Sequence, residues 1–375
     1  MKVLQILPEL NSGGVERGTL EVADYLVKMG HEALVVSNGG RLVEQLEKSG
    51  ARHITMPVDK KNLSSLFQIR PFRKLLEKEK PDILHIRSRI PGWIAYLAWQ
   101  GMDKATRPRL VSTVHGFYSV NRYSAVMTKG ERVIAVSESI KKYILDNYPK
   151  VEEEKVTVIH RGVSLQEFDS DFKPDEGWLN DWHKEHPDFE GKIILLLPGR
   201  VTRWKGQNDF IQMISALKKD GLNVSGLIVG ETHPKKIEFE TELRRLVNEL
   251  SLEKEILFLG HRSDIKEVMA VSDIVYSLPS DPEAFGRVSL EAMALGKPVV
   301  AYQHGGVEEQ LLVAFPKGLV PINDITLAID RTKDILKARY KPSIPVDFTL
   351  DKMLTSTLEV YEQIIKLPRS NDCKS

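Results

Sequence analysis

Short apolar segments alternate with segments of helical hydrophobic period along almost the whole sequence. This alternation is typical of parallel strands joined by crossover helices, so it predicts the α/β class. In the first half the strand pattern occurs at seven places, residues 3–7, 33–37, 53–58, 83–86, 110–114, 132–136 and 156–160. In the second half it occurs at six, residues 193–197, 227–230, 256–259, 274–277, 298–301 and 319–322.

Residues 164–191 interrupt the alternation with an acidic stretch that contains Pro and Gly and has no sustained period of either kind, which predicts a domain boundary. A length of 375 residues also fits two domains. The sequence therefore predicts two Rossmann-like, doubly wound domains at 1–165 and 166–348 that face a central cleft. A C-terminal helix and polar tail at 349–375 follow and could pack back on the first domain.

Composition excludes several classes of protein. With 42% hydrophobic and 28% charged residues the chain is neither disordered nor fibrous, and a net charge of +1 argues against bulk nucleic-acid binding. The charge is uneven, because residues 1–165 hold 26 basic and 18 acidic side chains, or +8, and the remainder is −7. The basic half predicts either contact with anionic lipid or a phosphorylated acceptor, or simply a well-solvated surface.

Targeting and metal signals are lacking in the sequence. The single cysteine, Cys373, excludes a disulfide framework. No signal peptide, no run of 18 apolar residues and no His-Glu-x-x-His pattern occurs, so we expect a cytoplasmic protein that spans no membrane and binds no metal or cofactor.

Candidate binding residues follow predicted strands. Gly13 and Gly14 lie between the first strand and the first helix, where missing Cβ atoms permit close approach of a ligand, although a tight turn alone also needs glycine. Arg200 and Lys205 follow the first strand of the second domain and precede a helix, so they could reach a diphosphate or be solvated loop cations.

A third loop contains Glu283, Ala284, Phe285 and Gly286 before a predicted helix at 287–295. Glu291 on that helix shares a face with Arg287. Two carboxylates here suit recognition of sugar hydroxyls, while a helix-start charge and an Arg-paired surface charge are the alternatives. A fourth loop pairs Gly305 with Gly306 and places Glu308 or Glu309 nearby, and His115 follows a strand of the first domain.

The whole set of motifs resembles glycosyltransferase family 4. The matching residues are Gly13-Gly14-Val15-Glu16, Val114-His115-Gly116, Gly199-Arg200 with Lys205-Gly206, Glu283-Ala284-Phe285-Gly286, Leu290-Glu291-Ala292 and Gly305-Gly306 with Glu309. The resemblance implies a GT-B fold and metal-independent transfer from a nucleotide sugar with retention of anomeric configuration. Where this family usually has Asn before Gly-Val, the chain has Arg161, which puts contacts at the domain boundary in doubt, although its cationic side chain could instead contact the donor or the acceptor in the cleft.

Carried over to this chain, the resemblance implies a role for each site residue. Arg200 and Lys205 would neutralise the donor diphosphate, helped by backbone groups around Gly14 and Gly286. Glu291 would hold the ribose hydroxyls, Glu283 those of the donor sugar, and His115 would contact that sugar near the reacting carbon. No nucleophile is evident, which favours a front-face route in which the leaving phosphate takes the acceptor proton.

The expected function is transfer of a hexose or N-acetylhexosamine from a nucleotide-diphosphate sugar to a glycan or glycolipid, in the synthesis of lipopolysaccharide or another surface polysaccharide. The acceptor and an anionic membrane surface are expected to meet the first domain, through basic and aromatic side chains unless the aromatics belong to its core. These are Arg87, Arg89, Arg122, Lys141, Lys142, Trp93, Tyr96, Trp99, Phe117 and Tyr118. The alternatives are a nucleotide-sugar epimerase of the same architecture and a catalytically silent nucleotide-sugar-binding protein.

Overall fold

A computed structural model of the protein describes residues 1–11, 13–60, 63–232 and 237–368. It divides the chain into two units, the first made of Met1–His160 with Asp351–Ser375 and the second of Arg161–Leu350. Cys373 lies outside the described residues.

The first unit is built on a parallel sheet of seven strands in the order β3-β2-β1-β4-β5-β6-β7. The strands are β1 (Lys2–Ile6), β2 (Glu32–Ser37), β3 (Arg52–Thr55), β4 (Ile83–Ile86), β5 (Arg109–Val114), β6 (Arg132–Ala135) and β7 (Val156–Val158). The helices that follow them are α1 (Gly14–Lys28), α2 (Val43–Lys48), α3 (Ile69–Glu79), α4 (Arg89–Gln100) and α5 (Glu138–Asn147). Helices cover both faces of such a sheet, so its central strands are buried along their length, as β4 and β5 are here.

The second unit repeats the plan with six parallel strands in the order β10-β9-β8-β11-β12-β13. Its strands are β8 (Ile193–Pro198), β9 (Val224–Val229), β10 (Ile256–Gly260), β11 (Ile274–Ser277), β12 (Val299–Tyr302) and β13 (Leu319–Val320). Its helices are α6 (Glu176–Glu185), α7 (Gln207–Lys219), α8 (Ile237–Glu249), α9 (Ile265–Val271), α10 (Arg287–Ala294), α11 (Gly305–Ala314) and α12 (Ile325–Ala338).

The predicted α/β class and the predicted strands are confirmed, with differences at the strand ends. β3 ends at Thr55 rather than residue 58, and β13 ends at Val320 rather than residue 322. Proline explains both, because Pro57 and Pro321 lack the N–H group that a strand donates to its neighbour.

One expectation was wrong, since residues 164–191 contain a regular helix, α6. Asp175 caps this helix by accepting a hydrogen bond of 2.9 Å from the backbone N–H of Trp178. Its inward side is aromatic, with the rings of Trp178 and Trp182 stacked 5.1 Å apart. The helix forms although its sequence lacks the regularly spaced aliphatic residues from which a helix is usually predicted.

The last helix, α13 (Leu350–Lys366), belongs almost entirely to the first unit. The hydroxyl of its fully buried Tyr361 lies 2.6 Å from Nδ1 of His85 on β4, and Nε2 of His85 lies 2.7 Å from the Thr113 hydroxyl on β5. A buried polar cluster thus joins the end of the chain to the centre of the first sheet.

The chain leaves the first unit after His160 rather than at residue 165. The reason is local pairing inside the second unit, where the Val163 N–H donates to Phe348 O at 3.0 Å and the Leu350 N–H donates to Val163 O at 2.9 Å. A Cβ on Gly162 would lie 2.3 Å from the carbonyl oxygen of Thr349, so this pairing needs glycine.

Candidate active site

The order of strands in the second unit reverses between β8 and β11. From β8 the chain proceeds to β9 and β10 on one side, whereas β11 leads to β12 and β13 on the other. In doubly wound sheets, ligands bind outside the carboxyl ends of the strands at such a reversal. The loops that follow β8 and β11 are therefore the first place to look for a site.

The loop after β8 carries Arg200 and Lys205 and rests against the chain that follows β11. Gly206 has φ 80°, and a Cβ there would lie 2.1 Å from the carbonyl oxygen of Leu278. The Ser280 N–H donates to Trp204 O at 2.8 Å, which joins the two loops through their backbones. The side-chain amide of buried Gln207 donates to Arg200 O at 3.1 Å and so holds the loop from its own helix.

Two predicted site residues meet directly at this junction. The ammonium group of Lys205 forms an ion pair with the carboxylate of Glu283, and the side chains are 21% and 15% exposed. Burial and the neighbouring Arg200 guanidinium lower the pKa of Lys205 to about 8. Neither the helix-start charge considered for Glu283 nor the solvated cation considered for Lys205 describes this arrangement.

The helix after the Glu283 loop begins at a glycine that the packing requires. Gly286 has φ 83°, and a Cβ on it would lie 2.3 Å from Cγ2 of Val307. One turn into α10, Oε1 of Glu291 lies 3.4 Å from Nε of Arg287. The predicted pairing is confirmed, but Glu291 is only 7% exposed and is therefore a buried group rather than a surface charge.

The Gly305–Gly306 pair lies against the Glu283 loop. A Cβ on Gly305 would lie 2.4 Å from Glu283 O, and one on Gly306 would lie 2.5 Å from Ala284 O. The Gly306 N–H also donates to Glu283 O at 2.8 Å. The sequence predicted that these two glycines allow a ligand to approach closely. In the structure the segment that approaches them is the protein's own backbone at Glu283 and Ala284, and this contact fixes the position of Glu283.

The remaining residues near this loop have supporting positions. The ring of Phe285 is buried, and its carbonyl oxygen accepts a hydrogen bond from the buried Gln310 side chain. Ala284 and Glu309, the latter on α11, are half-buried. The structure thus brings Arg200, Lys205, Glu283, Ala284, Gly286, Gly305 and Gly306 together at the ends of β8, β11 and β12.

The other predicted residues lie elsewhere. Gly13 and Gly14 start α1 in the first unit, where Gly13 has φ 134°, a backbone region open to glycine. His115 follows β5 in the same unit, and its backbone N–H donates to the Tyr118 hydroxyl at 3.2 Å. Arg161 is buried at the start of the second unit.

A pocket of about 440 Å³ at the carboxyl ends of β8, β9 and β10 was not foreseen from the sequence. Its lining residues are Val201, Ile228, Gly230, Glu231, Thr232, Ile237, Glu240, Arg244, Phe258, Leu259, Gly260 and His261. A Cβ on Gly230 would lie 1.9 Å from Gly199 O, so the loops after β8 and β9 touch. The sequence signal that could have indicated this pocket is glycine at the end of a strand, as at Gly230 and Gly260.

The basic and aromatic surface expected on the first unit is partly wrong. Arg87 is fully buried and donates from Nη1 to the side-chain oxygen of Gln5 at 3.1 Å, and Trp99 belongs to the core. Lys141 pairs with Glu153 at 2.8 Å, and Lys142 pairs with Asp146 at 2.9 Å.

The other members of that surface remain at least partly accessible. The guanidinium of Arg89 lies 4.6 Å from the ring centre of Tyr118. Trp93, Tyr96 and Phe117 are half-buried, and Arg122 is exposed.

Two parallel, doubly wound units, with charged loops at the strand reversal of the second, match the fold of GT-B glycosyltransferases. Two family models match the chain, "Glycosyltransferase Family 4" over residues 12–167 and "Glycosyl transferases group 1" over residues 180–344. The chain belongs to glycosyltransferase family 4.

Individual proteins agree with this assignment. A glycosyltransferase from Rickettsia africae is 33% identical, with 98% of this chain and 99% of that chain covered and a TM-score of 0.84. The Anabaena protein HepE, solved in complex with UDP, is 20% identical with a TM-score of 0.80 and coverage of 97% and 100%. An Escherichia coli UDP-Gal:alpha-D-GlcNAc-diphosphoundecaprenol alpha-1,3-galactosyltransferase is 26% identical, with 96% of each chain covered.

The described part of the chain holds no group of three or more His, Cys, Asp or Glu side chains arranged to bind a metal ion. Its helices are also too short or too polar for any of them to cross a bilayer.

Proposed function

We propose that the enzyme transfers a hexose or N-acetylhexosamine from a nucleotide-diphosphate sugar to a glycan or lipid-linked acceptor, with retention of anomeric configuration and without a metal ion. The observation that carries the proposal is the Lys205–Glu283 ion pair, which lies beside Arg200 at the strand reversal of the second unit. These three side chains offer two cations and one carboxylate at the position where such sheets bind nucleotides.

The two cations suit the leaving group of this reaction. Breaking the anomeric bond places additional negative charge on the nucleoside diphosphate, and fixed cations stabilise that charge as it develops. Arg200 offers a planar fork of N–H donors and Lys205 a compact charge, so together they fit the oxygens of a diphosphate. The ion pair with Glu283 keeps the Lys205 ammonium in place before the donor arrives.

Donor binding then exchanges partners within the pair. The diphosphate takes over the Lys205 ammonium, and the carboxylate of Glu283 turns to the hydroxyls of the donor sugar, from which each oxygen accepts hydrogen bonds. Because Gly305 and Gly306 hold the backbone of Glu283 by close contact, the exchange needs a change of side-chain rotamer only.

The nucleoside of the donor is proposed to occupy the pocket at the ends of β8, β9 and β10. Val201 lines this pocket and follows Arg200 directly in the chain, so the pocket continues from the diphosphate cations. Its walls combine five apolar side chains with five polar or charged ones, which offers a base both apolar contact and hydrogen-bond partners. Glu291 is proposed to hold the ribose hydroxyls. The roles that the family resemblance implies for Gly14 and His115 stay predictions.

Retention is proposed to follow a front-face route. The bond from the anomeric carbon to the diphosphate oxygen breaks, and the acceptor oxygen bonds to the same face of that carbon. The proton of the acceptor hydroxyl passes to the leaving phosphate. Glu283 is committed to Lys205 and then to sugar hydroxyls, which leaves it no part as a nucleophile.

The acceptor class rests on similarity. The name of the E. coli relative specifies a sugar linked through diphosphate to undecaprenol, a membrane lipid carrier. We propose an acceptor of this lipid-linked or glycan type, a role in lipopolysaccharide or other surface polysaccharide synthesis, and action at the inner face of the cytoplasmic membrane.

The test is a panel of UDP-, GDP- and ADP-sugars in which release of nucleoside diphosphate is measured with and without a lipid-linked sugar acceptor. A transferase releases the diphosphate mainly with acceptor, and the anomeric proton coupling of the product reports retention. An epimerase would interconvert the donor without acceptor, and a silent binding protein would release nothing. Activity that is unchanged by EDTA supports metal independence, and activity abolished by EDTA and restored by Mg²⁺ would contradict it.

A further inference from the structure

An arginine of the first unit lies against two tyrosine rings at the carboxyl end of the sheet. Arg89 begins α4, directly after the short turn that follows β4. Its guanidinium carbon Cζ lies 4.6 Å from the ring centre of Tyr118 and 5.5 Å from that of Tyr123. Both rings belong to the loop after β5, the strand that neighbours β4. Two adjacent strands thus deliver a cation and two aromatic rings to the same place.

Most of the hydrogen-bonding capacity of Arg89 is unused within the described residues. A guanidinium has five N–H donors, and the bond found here runs from Nη1 to the Ser124 hydroxyl at 3.4 Å. The ion pairs formed between described residues do not include Arg89. Neither α4 nor residues 115–129 contain an acidic residue. The remaining donors therefore suit a ligand that brings its own negatively charged acceptors.

The location of this arginine is also that of a ligand site. The strand order of the first sheet reverses between β1 and β4, and doubly wound sheets bind ligands outside the carboxyl ends of the strands at the reversal. Arg87 in the same turn is fully buried and bonded to Gln5. Arg89 is only half-buried, so a ligand in solution can reach it.

We propose that Arg89 selects an acceptor whose sugar is attached to a phosphate or diphosphate. Its planar fork of N–H donors fits phosphate oxygens, and the rings of Tyr118 and Tyr123 offer apolar area to the adjoining sugar ring. Arg122, exposed in the same loop, supplies a second cation for a diphosphate. The inference rests on the proposed function, because it assigns the chemistry of the acceptor in that reaction.

Selection follows from the cost of covering a cation. An acceptor without phosphate would displace water from the Arg89 guanidinium and provide no counter-charge in return. A covered charge without a partner is unfavourable, whereas a phosphate both pairs with the charge and accepts its N–H groups. A site built for a polar group therefore discriminates strongly against an analogue that lacks this group.

The test is calorimetric titration of the full-length protein with two soluble probes, in the absence of donor. One probe is N-acetylglucosamine joined through a diphosphate to a short alkyl chain, and the other is the octyl glycoside of the same sugar. We expect the diphosphate probe to bind about tenfold or more tightly. Arg89→Gln should abolish this difference, because the charge-assisted hydrogen bonds are lost. Arg89→Lys keeps the charge without the fork and should preserve part of it.

Arg107 offers a matched control in the same unit. It is half-buried like Arg89, and its Cζ lies 3.4 Å from the ring centre of Trp99. Because it precedes β5, it lies at the amino ends of the parallel strands, away from the proposed site. Arg107→Gln should therefore bind both probes as the unchanged protein does. Thermal unfolding of each variant, followed by circular dichroism, separates loss of binding from loss of the fold.

A second pair of variants tests the aromatic part of the site. Tyr123 is 41% exposed, and the hydrogen bond that it accepts from Trp93 uses its backbone oxygen, so its side chain can be exchanged without removing that bond. Tyr123→Leu should weaken binding of the diphosphate probe about threefold, because a ring that contacts both arginine and sugar is lost. Tyr123→Phe keeps the ring and should bind normally.

The donor site must be distinguished from this one, because it also carries cations. Lys205→Ala should leave the affinity for the diphosphate probe unchanged. If Lys205→Ala abolishes binding and Arg89→Gln does not, the probe occupies the donor site and the proposal is overturned. Equal affinity of the unchanged protein for the two probes, or binding of neither, would also overturn it.

The acceptor site and the proposed function can fail separately. A failed donor panel together with diphosphate binding that depends on Arg89 would contradict the proposed function and leave the acceptor site standing. A successful panel in which Arg89→Gln changes neither the KM for a diphosphate-linked acceptor nor the affinity for the probe would do the reverse. If both hold, Arg89→Gln should raise that KM about tenfold or more and leave the KM for the donor unchanged.

Discussion

The two units share one topology but place charge differently at the strand reversal. In the first unit the reversal lies between β1 and β4, and Arg87, the residue after β4, is fully buried against Gln5 of β1. In the second it lies between β8 and β11, where Lys205 and Glu283 pair but stay 21% and 15% exposed. The charged side chain at this position of the fold therefore joins two strands in the first unit, whereas the ion pair at the reversal of the second unit stays partly exposed to solvent.

Solvent contact is the physical difference between the two arrangements. A fully buried guanidinium must be compensated inside the protein, because losing a partner leaves an unpaired charge in a poorly polarisable surrounding. A partly exposed pair can exchange partners at lower cost, since water and an incoming phosphate can replace either member. Arg87 should thus govern stability, and Lys205 activity.

The largest expected effect tests the open site. Lys205→Ala should lower kcat about 10²-fold or more, because one charge that stabilises the leaving diphosphate is removed. The measurement is nucleoside diphosphate release with the best donor of the panel. Lys218→Ala is the control, because Lys218 is an ion-paired lysine in the last turn of α7, where its partner is Glu255. Near-normal turnover of Lys205→Ala would contradict the proposed role.

The next effect tests the closed site. Arg87→Leu should lower the free energy of unfolding by about 1–3 kcal/mol, because the fully buried side-chain oxygen of Gln5 loses the N–H donor that Arg87 supplies. Urea unfolding followed by circular dichroism measures it. At a temperature where the variant is folded, its donor affinity should match that of the unchanged protein. A large loss of donor affinity without loss of stability would contradict the assignment of Arg87 to stability rather than to activity.

A third prediction uses pH. Because burial and Arg200 lower the pKa of Lys205 to about 8, the ammonium is lost as pH rises through that value. We expect kcat/KM to fall above about pH 8 by up to about tenfold per pH unit, since this ratio reports ionisations of the free enzyme. Lys205→Arg keeps its charge throughout this range and should remove the fall. The same fall in that variant would assign it to another group.

The smallest effect concerns the buried carboxylate of α10. Glu291→Gln should raise KM for the nucleotide donor about tenfold, since hydrogen bonds from ribose to a charged acceptor are replaced by weaker ones. Little change in kcat is expected. Glu308→Gln, an exchange of a half-buried carboxylate on α11, is the control. An unchanged KM would leave Glu291 as the partner of Arg287 alone.

The sequence predicted the sheets well because parallel strands covered on both faces are mostly apolar along their length. Runs such as those of β8 and β12 stand out against amphipathic helices for that reason. It predicted α6 wrongly, because that helix packs through Trp178 and Trp182 rather than through repeated aliphatic residues. The ends of β3 and β13 could have been predicted from the sequence, because Pro57 and Pro321 have no backbone N–H to donate to a neighbouring strand.

The sequence was sufficient to indicate which residues belong to the candidate site, but it did not indicate which of them contact each other. Strand ends and glycines indicated Arg200, Lys205 and Glu283, but no spacing states that residues 205 and 283 form an ion pair. Exposure was equally hidden, since Arg87 and Arg89 look alike in the sequence and only the first is fully buried. Burial depends on which strands become neighbours, and that is a property of the folded sheet.

The buried bond between His85 and Tyr361 joins residues that are 276 positions apart. At the usual 5 to 20 residues per second, a ribosome needs roughly 14 to 55 s to make the chain between them. During that interval the second unit is synthesised completely, while the first still waits for the helix that covers its central strands. Although it is made first, the amino-terminal sheet is expected to be the last to finish folding.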